Sequence, residues 1–405
     1  MTRRMRGIAL AGGGPLGGIW EIGALVALDE ALLGFDLADS DVYVGVSSGS
    51  FIAAGLANGI PPRAMYRMFI ESDAADDPFE PDLLLRPALK EYAQRLAALP
   101  QLLMTGVRRY FEAPLSRGFF ESFRELARAL PAGIFDNAGI DEYLAQLFSG
   151  PGRTNNFRKL RHKLYLVATD LDSGEAVEFG KPGWDDVPIS RAVVASAALP
   201  GLFPPVEIHG RHYVDGALMK TLHASVALHE GAELLLCINP LVPYNAHLAA
   251  RYAHKKPVNL VEGGLPVVLS QTFRAIIHSR MEVGMGRYAT DFPKADIVLF
   301  QPGRDDADMF FTNVFSYSAR RHLSEHAYQK TRAELRRRAK KLEPILERHG
   351  VKLDRAILAD KNRKLDHGLA KIKSWRASPL GRAAIELDQT LENLEASLKA
   401  RRLSA

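Results

Sequence analysis

Ser47 stands in the pattern G-x-S-x-G, between Gly45 and Gly49, directly after an apolar run at residues 42–46. Where a strand turns into a helix, this pattern lifts a serine hydroxyl clear of the sheet, so that it can attack a carbonyl carbon. The small residues Gly45 and Gly49 permit the sharp turn. The same residues could also form an ordinary loop that caps the helix. Ser47 is therefore a candidate nucleophile whose assignment depends on neighbouring segments.

A glycine-rich loop, residues 12–18 (GGGPLGG), follows the first apolar run of the chain. Backbone N–H groups in such a loop, at the start of a helix, are free to face an anion. Gly12, Gly14 and Gly17 also spell the G-x-G-x-x-G of dinucleotide sites, which need an acidic residue about 20 residues on. The candidate nucleophile follows the second strand instead. We therefore predict an oxyanion hole formed by Gly12, Gly13, Gly14 and Gly17 with the helix N-terminus that follows the serine.

A candidate base follows a later apolar strand, in the sequence Asp215-Gly216-Ala217. Asp-Gly is common in ordinary turns, but here a lone aspartate ends a strand beside a glycine that permits close approach. A free aspartate, with a pKa of about 3.9, is a feeble base at neutral pH. The site must therefore raise the pKa of Asp215 by burial or couple proton transfer tightly to attack.

In this order, the glycine loop and residues 45–49 and 215–217 resemble the three blocks of the patatin-like phospholipase family. Residues 195–205 resemble the family's proline-rich stretch ahead of the catalytic aspartate, and residues 169–174 resemble its hairpin. The resemblance covers about residues 6–240. It implies a Ser-Asp dyad, an acyl-enzyme intermediate and hydrolysis of lipid esters without a metal or cofactor, as in phospholipase A, lysophospholipase or acylglycerol esterase chemistry.

The glycine loop departs from the family at Leu16, where Arg or Lys is usual. The backbone donors survive this change. A cation that would assist the oxyanion or an anionic headgroup is missing, so an intracellular polyester or a neutral lipid is a second substrate class. Headgroup, acyl-chain length, positional preference and oligomeric state stay open.

Two alternatives to the dyad remain. A Ser-His-Asp esterase of the α/β-hydrolase type also uses G-x-S-x-G, and His209, His212 and His223 surround Asp215 in sequence. That fold normally has several strands before its elbow, whereas Ser47 follows what is predicted as the second strand. The other alternative is a lipid- or granule-binding protein on the same scaffold, with little turnover.

The elements that must position these residues begin with strands predicted at residues 7–11 and 42–46 and helices predicted at 20–33 and 51–58. This β-α-β-α start predicts an α/β fold with a parallel sheet covered by helices. The resemblance implies a patatin-like, parallel-rich sheet sandwiched by helices. Further strands are predicted at 163–169, 176–179, 206–208, 211–214, 233–238 and 297–300. A turn at residues 172–174 predicts a hairpin between the first two of these strands.

The chain divides into a predicted catalytic domain at residues 6–315 and a basic helical C-terminal extension at 316–405. A helical insertion is predicted within the catalytic domain at about residues 72–135. A helix is predicted over residues 267–288. Pro344 and Gly350 are predicted to break the helices of the extension.

Composition indicates a large core, since 47% of the 405 residues are hydrophobic. The single cysteine, Cys237, lies in an apolar strand, which favours a buried structural thiol. No run of about 18 uninterrupted apolar residues occurs, so no membrane-spanning helix is expected. No cluster of metal-ligand residues lies near the glycine loop or Ser47. We expect a cytoplasmic protein, peripheral to the inner face of the membrane.

Charge is distributed unevenly along the chain, although the net charge is only +5. Residues 316–405 hold 22 Lys/Arg against 11 Asp/Glu, while residues 1–315 hold 30 against 36. The densest basic run is residues 336–341. We therefore expect peripheral contact with an anionic membrane or lipid surface, or a solvated helix face. A nucleic-acid partner is not expected, because no recognised binding module surrounds this run.

Overall fold

The computed structural model describes residues 4–71, 86–88, 131–254, 256–312 and 317–367, together with residues 92–93, 97, 100–101 and 104. Most of the predicted insertion at 72–135 lies outside the described residues. The end of the predicted extension lies outside them as well.

Ten strands lie in the described residues: β1 (Arg6–Leu10), β2 (Leu32–Leu33), β3 (Val42–Val46), β4 (Lys163–Asp170), β5 (Ala176–Phe179), β6 (Val206–Ile208), β7 (Arg211–Asp215), β8 (Leu234–Ile238), β9 (Asp296–Phe300) and β10 (Lys352–Leu353). Eleven α-helices lie in the same residues: α1 (Gly14–Ala31), α2 (Ser48–Ala57), α3 (Pro62–Met65), α4 (Ala138–Leu147), α5 (Ile189–Ser196), α6 (Ala224–His229), α7 (Ala246–Ala253), α8 (Gly264–Asp291), α9 (Ala307–Phe311), α10 (Tyr317–Arg348) and α11 (Arg355–Ala359).

Eight strands form one sheet in the order β6-β7-β4-β3-β1-β8-β9, with β5 paired to β4 outside this path. Five neighbours, β4, β3, β1, β8 and β9, run parallel. Strands β5, β6 and β7 join antiparallel at one side. The predicted α/β fold with a parallel-rich sheet is confirmed.

The strand register brings the candidate site together. Because β1 and β3 are parallel neighbours, the loops that follow them leave the same edge of the sheet. Strand β4 pairs its Val167 with Val46 of β3, and its Ala168 with Asp215 of β7. Asp215 and the residue after Val46 therefore lie at the same level of the sheet.

Two element boundaries differ from the sequence prediction by more than three residues, while the others agree within three. Helix α1 begins at Gly14, inside the glycine loop, because Pro15 suits the first turn of a helix. The loop shows no apolar periodicity, so the sequence pattern did not predict this start. Helix α10 runs through Pro344 to Arg348, so the predicted break at this proline is wrong. Proline deprives the carbonyl of Lys340 of its helical donor, but Lys340 is exposed and water can reach its carbonyl.

Helix α10 belongs to the same apolar core as the sheet. It packs on α1, which is buried along most of its length, and a side chain at Gly23 would collide with the carbonyl of Ser324. Leu335 is fully buried in this core. Arg332, only 1% exposed, donates hydrogen bonds to the carbonyls of Ile357 and Asp360, each at 2.6 Å. The first part of the predicted extension is thus packed on the catalytic body.

The basic run at residues 336–341 is partly engaged within the protein. Arg336 donates to the Leu358 carbonyl at 2.7 Å, and Arg338 donates to the Leu299 carbonyl at 2.9 Å. Arg337 pairs with a glutamate of the same helix. Lys340 and Lys341 are exposed.

Helix α8 has a composition that the sequence prediction did not anticipate. Among the described residues, one segment, Leu260–Asp291, is long and apolar enough to cross a membrane, by length and composition only. The sequence prediction of no spanning helix depended on uninterrupted apolar residues. In this segment polar residues are interspersed, yet one 18-residue stretch has a mean hydropathy of 1.2. Core helices of soluble proteins can pass the same test.

Candidate active site

Ser47 occupies a strained turn between β3 and α2. Its backbone angles are φ 52° and ψ −125°, in a region that L-residues rarely adopt and that costs about 1–3 kcal/mol. Two hydrogen bonds hold this conformation: the Ser47 N–H donates to Ser196 Oγ at 2.9 Å, and Ser50 Oγ donates to the Ser47 carbonyl at 2.5 Å. The predicted strand–turn–helix context of G-x-S-x-G is present.

The flanking glycines are required by close packing. A Cβ at Gly49 would lie 2.5 Å from the Ala11 carbonyl oxygen, and a Cβ at Gly45 would lie 2.6 Å from Ser50 Cα. Larger residues would push α2 away from β1 and β3. The two glycines therefore let the helix that follows the serine start directly against the glycine loop.

Asp215 ends β7 with its carboxylate facing the serine. Ser47 Oγ donates a hydrogen bond to Asp215 Oδ2 at 2.6 Å, and the Ala217 N–H donates to Asp215 Oδ1 at 2.8 Å. Asp215 is 2% exposed. A side chain at Gly216 would collide with the Val167 carbonyl, so glycine lets the turn lie against β4. Both carboxylate oxygens are engaged.

Burial sets the electrostatics of Asp215. It raises the pKa of this carboxyl from 3.8 to about 6, although the hydrogen bonds from Ser47 and Ala217 act in the opposite direction. The raised pKa is the adjustment that the sequence analysis required of an aspartate base. At neutral pH the carboxylate is ionised and is a stronger proton acceptor than a solvated aspartate.

The glycine loop lies over this pair. A Cβ at Gly12 would lie 2.9 Å from Ser47 Cβ and 3.0 Å from Ala217 Cβ, so Gly12 lies directly against Ser47 and the turn that follows Asp215. Within the described residues, the N–H groups of Gly13 and Gly14 donate to no protein acceptor. Gly14, with φ +62°, faces open space. These two N–H groups can receive an oxyanion.

Gly17 has a different part in the site from the one predicted for it. Its N–H donates to the Gly13 carbonyl at 3.0 Å and closes the first turn of α1. A Cβ at Gly17 would lie 3.0 Å from Pro240 Cγ and 3.3 Å from Ser48 Oγ. Gly17 therefore packs against Pro240 and Ser48, and its N–H is not free to receive an oxyanion.

Sequence reasoning missed the residues that hydrogen-bond to the backbones of Ser47 and Asp215 and hold them in place. Ser196 Oγ, fully buried, accepts from Ser47 and donates to the Val167 carbonyl at 2.6 Å. The Asp215 N–H donates to the Ala198 carbonyl at 3.0 Å, and Thr169 Oγ1 donates to the Asp215 carbonyl at 3.1 Å. These residues lie in the two segments that carried the family resemblance, which was the available signal.

The histidines considered as alternatives have other partners. His209 pairs with Asp186 at 3.3 Å, and His212 lies 3.7 Å from Asp172. His223 is buried, which lowers its pKa to about 4, and its Nε2 lies 3.4 Å from the carbonyl of the glycine after Asp215. Within the described residues, none of the three hydrogen-bonds to the nucleophile or to the Asp215 carboxylate.

Possible ligands for a metal lie outside this site. Only one group of three ligand side chains in the described part of the chain is close enough to share an ion: Asp306, Asp308 and His326. His326 Nε2 lies 2.8 Å from Asp306 and its Nδ1 lies 3.2 Å from Asp308, an arrangement that ion pairing explains. Near the glycine loop, Leu16 packs against the core and supplies no cation.

A family model described as patatin-like phospholipase matches residues 8–228, more than half of the 405-residue chain. Similar solved structures include VipD from Legionella pneumophila, with 17% identity, TM-score 0.33, and coverage of 62% of this chain and 53% of that chain. The type III effector protein ExoU, from Pseudomonas aeruginosa, has 17% identity, TM-score 0.34, and coverage of 83% and 53%.

Human GIVD cytosolic phospholipase A2, in complex with methyl gamma-linolenyl fluorophosphonate, has 14% identity, TM-score 0.35, and coverage of 86% of this chain and 60% of that chain. The chain thus spans about half the length of the first two solved structures that it matches.

Proposed function

The chain belongs to the patatin-like phospholipase family, and we propose that it hydrolyses the ester bonds of lipids, with Ser47 as the nucleophile and Asp215 as the general base. The observation that carries this proposal is the 2.6 Å hydrogen bond from Ser47 Oγ to Asp215 Oδ2 beneath two free N–H groups of the glycine loop. A nucleophile, a base and oxyanion donors are the groups that acyl transfer requires.

In the first half of the reaction, Ser47 Oγ attacks the ester carbonyl carbon while its proton passes to Asp215 Oδ2. The carbonyl oxygen becomes an oxyanion, which the N–H groups of Gly13 and Gly14 stabilise. When the tetrahedral intermediate collapses, the C–O bond to the alcohol breaks and the alcohol takes the proton from Asp215. The acyl group is left on Ser47.

In the second half, Asp215 takes a proton from water as the water oxygen attacks the acyl carbon. The same N–H groups stabilise the second oxyanion. Collapse breaks the bond to Ser47 Oγ, which recovers its proton from Asp215 and releases the free fatty acid. No metal enters either half of this proposed reaction.

The glycine loop bears on the substrate class. Leu16 offers no positive charge to a phosphate group, whereas the backbone donors act on any ester carbonyl. We therefore include acylglycerols beside phospholipids and lysophospholipids as substrates to be compared. Fatty acid released from each class by the purified protein identifies the preferred one.

The dyad is tested with a soluble short-chain nitrophenyl ester. Ser47→Ala and Asp215→Asn should each remove most of kcat, and the double variant should be hardly slower than either single variant, because residues that act as one unit are not additive. Ser48→Ala is the matched control, since the Ser48 hydroxyl has no hydrogen-bond partner among the described residues.

Wild-type kcat in Asp215→Asn would mean that another group is the base. No turnover of any ester by the wild-type protein would instead favour the lipid-binding alternative, which predicts binding without hydrolysis.

A further inference from the structure

One face of α8 (Gly264–Asp291) is apolar and open to solvent. Its outward side chains recur at the three- and four-residue spacing of a single helical stripe. They are Leu265, Val268, Leu269, Phe273, Ile276 and Val283, each between 39% and 69% exposed. Large apolar residues gathered on one exposed face mark an interaction surface rather than ordinary surface composition.

The opposite face of α8 is fixed to the body. Ile277 and Met281 are buried, and Arg274 Nη1 donates to the Val242 carbonyl at 3.2 Å. Gln271 Nε2 donates to the Tyr244 carbonyl at 2.6 Å, and its Oε1 accepts from the N–H of the same tyrosine. The outer stripe is therefore held in place by a packed inner face.

These inner contacts argue against a helix that crosses the membrane. Crossing would remove Arg274, which is 5% exposed, from its carbonyl partner and place it with Arg280 and Glu282 in hydrocarbon. A helix that keeps its inner face on the protein and presents an apolar outer face suits the surface of a bilayer instead.

Helix α8 also borders the candidate active site. Arg280 Nη1 donates to the Leu218 carbonyl at 3.3 Å, three residues after Asp215. Thr221 Oγ1 donates to the Ile277 carbonyl at 3.4 Å. Arg274 contacts the loop at Val242, two residues after Pro240, and Pro240 packs against the glycine loop at Gly13 and Gly17. A lipid surface against α8 would thus lie next to both loops that frame Ser47.

The charges around the apolar stripe indicate which kind of surface it binds. Residues 246–291 hold six Lys/Arg against three Asp/Glu, whereas the other residues up to 315 hold 24 against 33. Between Gly264 and Ser279 the only charged residue is the buried Arg274. Exposed cations precede this stretch in the sequence at Arg251 and Lys256 and follow it at Arg280 and Arg287. From Arg251 to Arg287 they outnumber the exposed acids, Glu262 and Glu282. An apolar stripe flanked by an excess of cations complements acyl chains beneath anionic headgroups.

We propose that the outer face of α8 is the surface by which this protein docks on an anionic lipid bilayer. The stripe enters the boundary between headgroups and acyl chains, and the flanking cations contact lipid phosphate and carboxylate groups. Docking would deliver the ester substrate to Ser47, and this role rests on the proposed function. The docking proposal itself does not depend on that function.

The test measures docking and turnover separately. Protein spanning residues 1–405 and carrying Ser47→Ala is floated with vesicles of phosphatidylcholine mixed with phosphatidylserine, so that hydrolysis cannot alter the vesicles. Adding Leu269→Gln, Phe273→Gln and Ile276→Gln together should weaken binding at least about tenfold, because the stripe loses its apolar side chains. Vesicles of phosphatidylcholine alone, or high salt, should also weaken binding.

The control replaces exposed cations of α10, with Lys340→Gln and Lys341→Gln in the same background, and should keep most of the binding. The three α8 substitutions, placed in protein that retains Ser47, should leave hydrolysis of a soluble short-chain ester unchanged. Unaltered melting temperatures should accompany both sets, because the replaced side chains are exposed.

Undiminished vesicle binding by the α8 variant overturns the docking proposal, as does binding that is lost only in the α10 control. Conversion from dimer to monomer by the α8 substitutions, with vesicle binding intact, would assign the stripe to a second copy of the chain and would also overturn it. Loss of docking in the α8 variant, together with absent ester hydrolysis by wild-type protein, would leave docking standing while the proposed function fails.

Discussion

Burial and catalysis make opposite demands on the ionisation of Asp215. Burial favours the neutral carboxyl and raises its pKa to about 6, while a general base must be ionised. The base form is therefore scarce below pH 6 and dominant above it. We expect kcat/KM for a soluble ester to rise through one ionisation near pH 6 and then level off. A profile that is flat from pH 5 to 8 would contradict Asp215 as the base.

The same pKa has a consequence for stability. A folded-state pKa raised from 3.8 to about 6 gives the neutral carboxyl a preference of roughly 3 kcal/mol. This contribution is complete below the unfolded pKa and is lost as pH rises through the folded one. Asp215→Asn keeps a neutral group at all pH values. We expect the variant to exceed wild type in unfolding free energy at pH 8 by on the order of 1–3 kcal/mol.

Urea unfolding at pH 5 and pH 8 measures this difference. The advantage of Asp215→Asn should shrink at pH 5, where the wild-type carboxyl is mostly protonated. An equal advantage at both pH values would show that burial of the Asp215 charge is not its cause.

At the residue scale, the sequence allowed the prediction of Ser47 and Asp215 because their types and neighbours carry chemistry. It could not separate Gly17 from Gly13 and Gly14, since only the fold shows that the N–H of Gly17 is already hydrogen-bonded within the protein. Ser196 was missed for a related reason, because a buried serine that positions a backbone N–H has no motif of its own.

Among the elements, the strands were the easiest to predict. Three of them, β3, β5 and β6, match their predicted bounds, because short apolar runs bounded by turn residues define strands in a mostly buried sheet. The start of α1 and the continuation of α10 through Pro344 depend on the first turn and on hydration, which periodicity does not record.

Helix α10 shows how charge can conceal a core element. Its sequence is dominated by charged residues, yet Leu335 is fully buried in the core. We expect Leu335→Ala to lower the free energy of unfolding by about 2–5 kcal/mol, because truncation in a packed core leaves a cavity. Lys340→Ala, on the exposed face of the same helix, should change it by less than about 0.5 kcal/mol.

Chemical denaturation monitored by tryptophan fluorescence compares these two variants. If Leu335→Ala were as stable as wild type, α10 would belong to a separate extension. That result would agree with the sequence prediction, which divided the chain between residues 315 and 316.

On the scale of the whole molecule, two surfaces are candidates for contact with lipid. The sequence drew attention to the basic run at residues 336–341, whose arginines hydrogen-bond within the protein. The apolar stripe of α8 was hidden because its inner face is polar in places and masks the pattern along the chain. Only the fold separates the two faces of that helix.

The three side chains that could share a metal ion lie away from the candidate active site, which bears on whether activity depends on a metal. Asp306, Asp308 and His326 lie around α9 and α10, whereas the proposed reaction uses Ser47, Asp215 and the glycine loop. We therefore expect EDTA to leave kcat for a soluble ester within about twofold of its original value. Loss of kcat that calcium restores would contradict the metal-free dyad.

The central claim, that Ser47 is a nucleophile activated by Asp215, is tested most directly by covalent labelling. An alkyl fluorophosphonate reacts when a serine oxygen attacks phosphorus and fluoride leaves. Mass spectrometry of the protein after this reaction should find one phosphonyl group, on the peptide that contains Ser47. Labelling should be absent in Ser47→Ala and much slower in Asp215→Asn. A label on another residue, or equal labelling of wild type and Ser47→Ala, would contradict the assignment.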